Sequence, residues 1–341
     1  MTLDRELHEQ PEVLARWLDA GDRTFPELRR DLATRGARYV VVAARGTSDN
    51  AARYAGYVWG MEAGLPVALA TPSAYLGYGR PPRLDGALVV GLSQSGASPD
   101  LVAVLAEARR QGRPTVAVTN DTTSPLARTA DHVVGLGAGP ELAVAATKTY
   151  TAELLAVAAL AHALGGADRR LALTSVPAAV AAMLAEPGAD ALADVLADAG
   201  RVVVLGRGFH LATAHEWALK LQELASVVAQ PWSTADLLHG PVAAVDATVP
   251  VLAVVSAGPL ALGVRDVLSD LAGRGVRIGV VTDVRAVAAV AGVAVPLPDV
   301  PEWLAPIVAI VAGQRCSVAA ARARGLDPEH PRGLAKVTRT R

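Results

Sequence analysis

The sequence has little cysteine, few aromatic residues and almost no net charge. Cys316 is the one cysteine among 341 residues. A single thiol forms no intrachain disulfide and supplies no multi-cysteine metal site. Aromatic residues make up 4% and the formal net charge is −1. A nearly neutral chain lacks the basic field that attracts nucleic acid or an anionic membrane surface, so we expect neither partner.

Long hydrophobic runs are also missing. Charges, glycine and proline interrupt every apolar stretch before it reaches the roughly 20 residues of a membrane-spanning helix. The N-terminal segment Met1–Trp17 is charged and lacks the apolar core of a signal peptide. The histidines have no metal-ligand spacing, and no G-x-x-x-x-G-K-[ST] loop for a nucleoside triphosphate occurs. We therefore expect a cytoplasmic protein without a metal site.

What is present in abundance is valine, alanine and leucine, arranged in a repeat. Val-rich runs alternate with Ala/Leu-rich segments, which is typical of parallel strands covered by helices. Val40–Gly46 corresponds to Val202–Gly208, 162 residues later, and Leu88–Gly96 corresponds to Pro250–Gly258 at the same spacing. A third pair is Gly112–Asp121 and Gly275–Asp283. We interpret this self-similarity as a duplicated domain.

The repeat predicts the α/β class, with two tandem doubly wound parallel sheets, each in three α/β/α layers. We place the first domain at residues 35–165 and the second at 195–325. Residues 1–34 are predicted to be helices packed outside the first sheet, and 175–199 a helical connection. Residues 326–341 form a C-terminal tail with turn chemistry.

The sharpest local feature is a loop rich in hydroxyls, Ser93–Ser98, here called the serine loop. It follows the predicted strand Ala87–Leu92 and precedes a helix that begins near Pro99. Backbone N–H groups at a helix start favour an anion, and the side chains add donors. The candidate phosphate ligands are Ser93, Gln94, Ser95 and Ser98. The alternative is an ordinary strand–helix turn capped by Ser98.

Two features bear on this interpretation. The corresponding loop of the second repeat, Ser256–Pro259, lacks most of the hydroxyls, which favours one phosphate site per chain. A second polar turn, Gly46–Asn50, ends the first predicted strand, and adjacent strand ends face one crevice. Thr47 and Ser48 are therefore candidates for contact with the sugar. The alternative is that they cap the helix Asn50–Met61.

The second repeat carries a candidate acid–base arrangement. The pattern of Leu211–Ser226 predicts a helix, on which Glu216, Lys220 and Glu223 share one face. The alternative is a solvent-exposed face with a Glu–Lys pair. His239 precedes Gly and Pro, so it lies in a turn, and histidine is suited to proton transfer near neutral pH. The alternative is a structural or solvated histidine.

Together these motifs resemble a known family. The five segments, in order, are Ser93–Gly96, Glu141–Lys148, Glu216–Glu223, His239–Pro241 and Pro331–Thr338. They are similar to the tandem sugar-isomerase (SIS) domains that form the isomerase half of glucosamine-6-phosphate synthase. The synthase also has an N-terminal glutaminase domain with a cysteine nucleophile. This chain begins Met1-Thr2-Leu3, so we expect no release of ammonia from glutamine.

Other details resemble the stand-alone glucosamine-6-phosphate deaminases of this fold. The segments concerned are Ser95–Asp100, Asn120–Leu126 and Leu142–Lys148. Two positions depart from the synthase pattern, because Ala97 stands where the synthase has a carboxylate and Ala146 where it has a hydroxyl. Both departures put synthase-like substrate contacts in doubt.

The resemblance implies a mechanism without redox or metal cofactor. His239 would open the sugar ring, Glu223 would move a proton between C2 and C1 through an enolamine, and Lys220 would stabilise the developing charge. Hydrolysis of the resulting imine yields fructose 6-phosphate and ammonia. Lys336 matches a lysine that can form a Schiff base with the open-chain ketose. Further implied substrate-binding positions are Val144 and Ala335.

The family also implies a homodimer in which His239 reaches the active site of the neighbouring subunit.

The alternative functions are an enzyme for another amino sugar phosphate, of galactosamine or fructosamine type, an isomerase that releases no ammonia, and a non-catalytic sugar-phosphate sensor. Such sensors carry a DNA-binding helix-turn-helix, for which residues 1–34 are too few and too acidic. We therefore predict an enzyme, a glucosamine-6-phosphate deaminase.

Overall fold

A computed structural model describes residues 2–21, 24–197 and 199–336, in which strands and helices alternate. The strands are β1 (Tyr39–Ala43), β2 (Val67–Leu69), β3 (Ala87–Leu92), β4 (Thr115–Thr119), β5 (His132–Gly135), β6 (Arg201–Gly206), β7 (Val228–Trp232), β8 (Val251–Val255), β9 (Ile278–Thr282) and β10 (Val293–Pro296). The helices are α1 (Thr2–His8), α2 (Gln10–Ala20), α3 (Thr24–Arg35), α4 (Thr47–Glu62), α5 (Pro72–Leu76), α6 (Pro99–Arg110), α7 (Pro125–Thr129), α8 (Lys148–Ala163), α9 (Arg170–Leu173), α10 (Val176–Ala185), α11 (Gly188–Leu196), α12 (His210–Ala225), α13 (Thr234–Leu238), α14 (Ala261–Gly273), α15 (Arg285–Ala288) and α16 (Ala305–Ala323).

The first sheet is parallel, with strand order β2-β1-β3-β4-β5. Val40 of β1 is in register with Val67 on one side and Leu88 on the other. All six residues of β3 are buried, which explains why that strand is apolar throughout instead of alternating. The chain order reverses between β1 and β3, so right-handed crossovers place helices on both faces.

The second sheet has the same topology. Its strands lie in the order β10-β9-β8-β6-β7 and are parallel. The reversal here falls between β6 and β8, the counterparts of β1 and β3. Its core is formed by strand residues such as Leu205 and Ala253 together with Leu268 of α14. The predicted α/β class with two tandem doubly wound parallel sheets is confirmed.

The chain divides into two compact units, each built on one sheet. The unit of the first sheet holds residues 12–142, 148–174 and 335–336, and the unit of the second holds 2–11, 143–147 and 175–334. Residues 2–11 thus differ from our expectation that the whole N-terminal segment packs on the first sheet.

Long-range hydrogen bonds explain where residues 2–11 lie. The Leu3 amide donates to Glu329 Oε1 at 2.9 Å, and Gln10 Nε2 donates to Gln314 Oε1 at 3.0 Å. Leu3 and Gln10 are both buried. The predicted tail is described only to residue 336, so Val337 and Thr338 of the family-like ending lie outside the described residues.

No single helix in the described ranges is long and apolar enough to cross a membrane. Only the bent pair Arg170–Ala185 and Gly188–Leu196, at 59° to each other, passes the same test of length and composition together.

Candidate active site

The serine loop lies at the reversal point of the first sheet, directly after β3. Ser98 is the N-cap of α6, and Pro99 occupies the first turn of that helix. Ser98 makes no side-chain cap hydrogen bond, so its hydroxyl is not consumed by the role that the alternative interpretation assigned to it. The helix start therefore presents N–H groups and hydroxyls at the point where such sheets bind ligands.

The serine loop is held in shape by its own hydroxyls. Ser93 Oγ accepts from the Gly96 amide at 3.2 Å, and Ser95 Oγ accepts from the Ala97 amide at 3.3 Å. A hydroxyl that accepts still has its proton to donate. Gly96 has φ +58°, and a Cβ there would collide with the Ser124 side chain. The loop is thus preformed, and its phosphate role stays a prediction.

Thr47 and Ser48 begin α4 instead of preceding it. The N-cap is Gly46, whose φ is +54°. Ser48 is buried and its Oγ donates to Glu153 Oε1 of α8 at 2.7 Å. Ser48 therefore joins two helices of the first unit, and only its lone pairs remain for a ligand. Thr47 is half-buried.

Lys336 is brought to the segment Glu141–Lys148 by an ion pair that sequence reasoning did not identify. Its Nζ donates to Glu141 Oε2 at 2.7 Å. The same buried carboxylate accepts from the amide of Thr149 at 3.1 Å and from its hydroxyl at 2.7 Å. Glu141 thereby anchors Lys336. Ala335 beside it is exposed and Val144 is half-buried, and their substrate contacts stay predictions.

In the second unit, α12 brings Glu216, Lys220 and Glu223 together as an acid–base cluster. Lys220 Nζ lies 3.4 Å from Glu216 Oε1 and donates a hydrogen bond to Glu223 Oε2. The side chains of Glu216 and Lys220 are 0% and 1% exposed, whereas that of Glu223 is 23% exposed. The interpretation of these residues as a solvent-exposed helix face is therefore wrong.

Burial and charge act in opposite directions on Lys220. Burial lowers the pKa of its ammonium, but Glu216 and Glu223 outweigh burial and leave that pKa above its ordinary value. Lys220 therefore stays a cation at neutral pH, beside a carboxylate that is partly open to solvent. A fixed cation next to an accessible proton acceptor is suited to proton transfer with charge stabilisation.

His239 lies in a turn, as predicted. It is the C-cap of α13, and its amide donates to the Asp236 carbonyl at 3.1 Å. Gly240 follows with φ +141°, and Pro241 then begins a short 3-10 helix. The imidazole is exposed and makes no hydrogen bond to any residue of the described part of the chain. His239 is thus held by its backbone, with both ring nitrogens available.

The corresponding loop of the second sheet, after β8, is occupied by the protein's own carboxylates. The Ala257 amide donates to Asp283 Oδ1 at 2.7 Å. A Cβ on Gly258 would lie 2.5 Å from the Glu302 carboxyl. Burial and the neighbouring Asp283 raise the pKa of Glu302. Acidic side chains at this loop disfavour a second phosphate site there.

The start of α12 carries one further buried polar pair. His210 Nε2 lies 2.9 Å from Ser256 Oγ, and burial lowers the pKa of His210 to about 3. This imidazole is therefore neutral and holds the loop to the helix. Among the residues described, no three His, Cys, Asp or Glu side chains are grouped so as to hold a metal ion.

Comparison with known proteins agrees with this architecture. The SIS domain family matches residues 35–163 and 195–312. The glutamine–fructose-6-phosphate aminotransferase (isomerizing) of Gluconobacter oxydans is 33% identical over 98% of this chain. This chain spans only 58% of the length of that relative. Two further aminotransferases, from Bradyrhizobium diazoefficiens and Zymomonas mobilis, are 33% and 31% identical over 97% and 98% of the chain, again with 58% of their length.

Solved structures are similar over nearly the whole chain. The C-terminal domain of glucosamine-fructose-6-phosphate aminotransferase from Francisella tularensis has a TM-score of 0.88 at 27% identity, covering 97% of this chain and 98% of that one. A Silicibacter pomeroyi protein assigned to the phosphosugar isomerases has a TM-score of 0.85 at 34% identity, covering 96% and 99%. The glucosamine-6-phosphate deaminase of Thermotoga maritima shares the fold, with a TM-score of 0.80 at 18% identity and complete coverage of both chains. The chain therefore belongs to the SIS domain family, with two SIS domains in tandem, homologous to the isomerase half of glutamine–fructose-6-phosphate aminotransferase and to phosphosugar isomerases.

Proposed function

We propose that this protein is a glucosamine-6-phosphate deaminase, which converts glucosamine 6-phosphate and water into fructose 6-phosphate and ammonia. The observation that carries the proposal is the buried acid–base cluster on α12, in a chain homologous to enzymes that isomerise sugar phosphates. A lysine buried between two carboxylates is costly to maintain as mere scaffolding. Catalysis of proton transfer at a carbon next to a carbonyl explains why such a buried lysine is present.

The serine loop is the proposed phosphate site. Its backbone is already held by Ser93 and Ser95, so binding requires little ordering of the loop. The α6 N-terminus adds N–H donors with partial positive charge. The loop of the second domain is instead occupied by Asp283 and Glu302, which supports one phosphate site per chain.

The proposed chemistry begins with ring opening. The imidazole of His239 passes a proton between the anomeric hydroxyl and the ring oxygen, leaving an aldehyde at C1. Glu223 then takes the proton from C2, the electrons of the C2–H bond form the C1–C2 double bond, and the C1 oxygen takes up a proton from solvent, which gives an enolamine with a hydroxyl at C1. Lys220, which donates to Glu223, stabilises negative charge as it develops.

The remaining steps release ammonia. Glu223 returns its proton to C1, which becomes the CH₂OH group, while the lone pair of the C2 nitrogen forms the C2–N double bond and that nitrogen loses a proton to solvent, leaving an imine at C2. Water adds to that imine, ammonia leaves, and the C2 carbonyl of fructose 6-phosphate remains. Lys336 is held beside the segment Glu141–Lys148 by Glu141, and a Schiff base on it requires first that the ammonium lose a proton.

A second candidate is isomerisation without release of ammonia. It is favoured by the relatives at 31–33% identity, which are aminotransferases, although this chain spans only 58% of the first of them. Ala97 and Ala146 argue against synthase-like substrate contacts, because they lack the carboxylate and the hydroxyl of that pattern.

The test is to incubate the purified protein with glucosamine 6-phosphate and to measure both products. We expect ammonia and fructose 6-phosphate in equal amounts. Galactosamine 6-phosphate and glucose 6-phosphate serve as comparison substrates under the same conditions. Interconversion of glucose 6-phosphate and fructose 6-phosphate without ammonia supports the second candidate. Absence of ammonia from every amino sugar phosphate contradicts the deaminase proposal.

We also propose that the enzyme is a homodimer in which His239 serves the active site of the neighbouring subunit. The exposed imidazole, with no hydrogen bond to any described residue, is compatible with that role. His239→Ala chains and Glu223→Gln chains, each inactive alone, are mixed and allowed to exchange. A mixed dimer then holds one intact site and one doubly defective site. Activity recovers to about a quarter of the wild-type value per chain when exchange is statistical.

If both residues act within one subunit, every site in the mixture remains defective. Absence of recovery, with chain exchange verified by a mass-tagged partner, therefore contradicts the shared site. The matched control mixes His239→Ala chains with wild-type chains carrying the same tag. That mixture retains activity under either arrangement and shows that exchange itself does no damage.

A further inference from the structure

A charged side chain lies beside the serine loop that sequence reasoning did not single out. Arg45 follows β1, and its Nε donates to Asp100 Oδ2 at 2.9 Å. Asp100 is buried in the first turn of α6, and its Oδ1 also accepts from the Leu101 amide at 3.1 Å. The acceptor is thus fixed by the helix, and it fixes the orientation of the guanidinium.

Most of the hydrogen-bonding capacity of Arg45 is unused. A guanidinium has five N–H donors, and only the Nε donor is engaged here. In the described ranges, neither Nη1 nor Nη2 donates to another residue, and 46% of the side chain is exposed. Two adjacent Nη groups held in one plane match the spacing of two phosphate oxygens.

The position of this ion pair is the reversal point of the first sheet. β1 and β3 are neighbouring parallel strands, so the segments after them leave the same edge. Arg45 comes from the first of these segments, and Asp100 stands two residues after Ser98, the end of the serine loop. The pair has no net charge, but Asp100 holds the Arg45 guanidinium, with its unused Nη donors, near the start of α6, where the loop itself offers only neutral donors.

The second domain repeats the arginine but not the carboxylate that orients it. Arg207 stands 162 residues after Arg45 and directly follows β6, but Leu262 occupies the position that corresponds to Asp100. The Arg207 guanidinium lies against Gly263 of α14, and the Ala257 amide of that domain's loop is engaged by Asp283. Among the described residues, the first domain combines an arginine paired with a carboxylate and a loop whose amides donate to no acidic side chain, and the second domain has neither feature.

We propose that Arg45, oriented by Asp100, is a charged ligand of the substrate phosphate and binds two of its oxygens through Nη1 and Nη2. The inference rests on the proposed function, which places the phosphate on the serine loop, and it names the group that selects a dianion there. A paired arginine loses less side-chain freedom on binding than a free one, since its geometry is already set.

The test titrates the full chain with inorganic phosphate by calorimetry. For Arg45→Met we expect the Kd to rise by roughly 10- to 100-fold, because a bidentate charge-assisted contact is lost. Arg45→Lys keeps the charge without the fork and falls in between. Arg207→Met is the matched control and keeps the wild-type Kd. With the phosphorylated substrate, Arg45→Met raises KM while kcat stays within about twofold.

A second variant tests whether the loss of affinity comes from misfolding instead of the lost contact. Arg45→Met leaves Asp100 buried without its partner, so Arg45→Met/Asp100→Asn is measured as well, and the same loss of phosphate affinity is expected. Wild-type affinity in these variants overturns the proposal. Ser93→Ala/Ser95→Ala separates the two hypotheses. If phosphate binds weakly to that variant but with wild-type affinity to Arg45→Met, the serine loop is the phosphate site and Arg45 is not a ligand. A wild-type protein that binds no phosphate contradicts the phosphate site on the serine loop and the role of Arg45 with it, whereas the deaminase proposal itself is decided by the release of ammonia.

Discussion

Replacing Glu223 by glutamine is expected to lower kcat by about 10²–10⁴-fold, because an amide of nearly equal volume cannot accept the C2 proton. Glu223 is the one member of the acid–base cluster that is partly exposed, so it is the carboxylate available to a substrate. The rate is measured as ammonia released from glucosamine 6-phosphate. Exchange of the C2 hydrogen with solvent deuterium, followed by NMR, reports the proton transfer directly and should disappear together with turnover.

The control for this prediction is an exposed carboxylate of the same domain. Asp270 on α14 pairs with Arg274 four residues later, on the surface. Asp270→Asn should leave kcat within about twofold of the wild type, since exposed pairs of this kind contribute little. Exchange at C2 that continues at the wild-type rate in Glu223→Gln would show that another group is the base.

Replacing Lys220 by methionine is expected to lower the free energy of unfolding by about 3–5 kcal/mol. The ammonium is buried between Glu216 and Glu223, and its removal leaves the Glu216 carboxylate buried without that cation. Glu223 is affected less, because part of it is open to water. Denaturation by urea, followed by circular dichroism, measures the change.

The matched variant removes the carboxylate as well. Lys220→Met/Glu216→Gln has neither the buried cation nor its fully buried anion, so it should regain a large part of the lost stability. A loss below about 1 kcal/mol in Lys220→Met, or no recovery in the double variant, contradicts the view that an uncompensated charge is the cause.

The same cluster makes stability depend on pH in a defined direction. The pKa of Lys220 is raised in the folded protein above its ordinary value of 10.5. A raised lysine pKa stabilises the fold fully below that ordinary value, and the contribution is lost as pH rises through the folded pKa. The wild-type protein should therefore lose this part of its stability only in strong alkali, and Lys220→Met should lack that component.

Local patterns in the sequence were sufficient for the fold. Runs such as Val40–Ala43 and Val202–Leu205 are apolar throughout because both faces of a parallel strand are covered, and this signal needs no knowledge of distant residues. Because the pattern occurs twice, each strand was predicted from two copies, and both sheets have the topology that the repeat implies. The unit to which residues 2–11 belong was not predicted, because their position depends on partners such as Gln314, far along the chain.

The sequence predicted only part of the candidate site. The serine loop was found because hydroxyls, a strand end and a proline at a helix start are neighbours in the chain. The spacing of Glu216, Lys220 and Glu223 placed them on one helix face, yet helical periodicity alone does not tell a buried face from an exposed one.

Only the tertiary structure decided which of these side chains are buried and which are paired. It buried Glu216 and Lys220 on α12, a helix that packs on α16, β6 and β7. It also joined Arg45 to Asp100 across 55 residues and Lys336 to Glu141 across 195. The sequence determined which side chains are available and which local structures they form. Which charges are desolvated and which are paired depends on contacts between elements far apart in the chain, and no local pattern encodes those contacts.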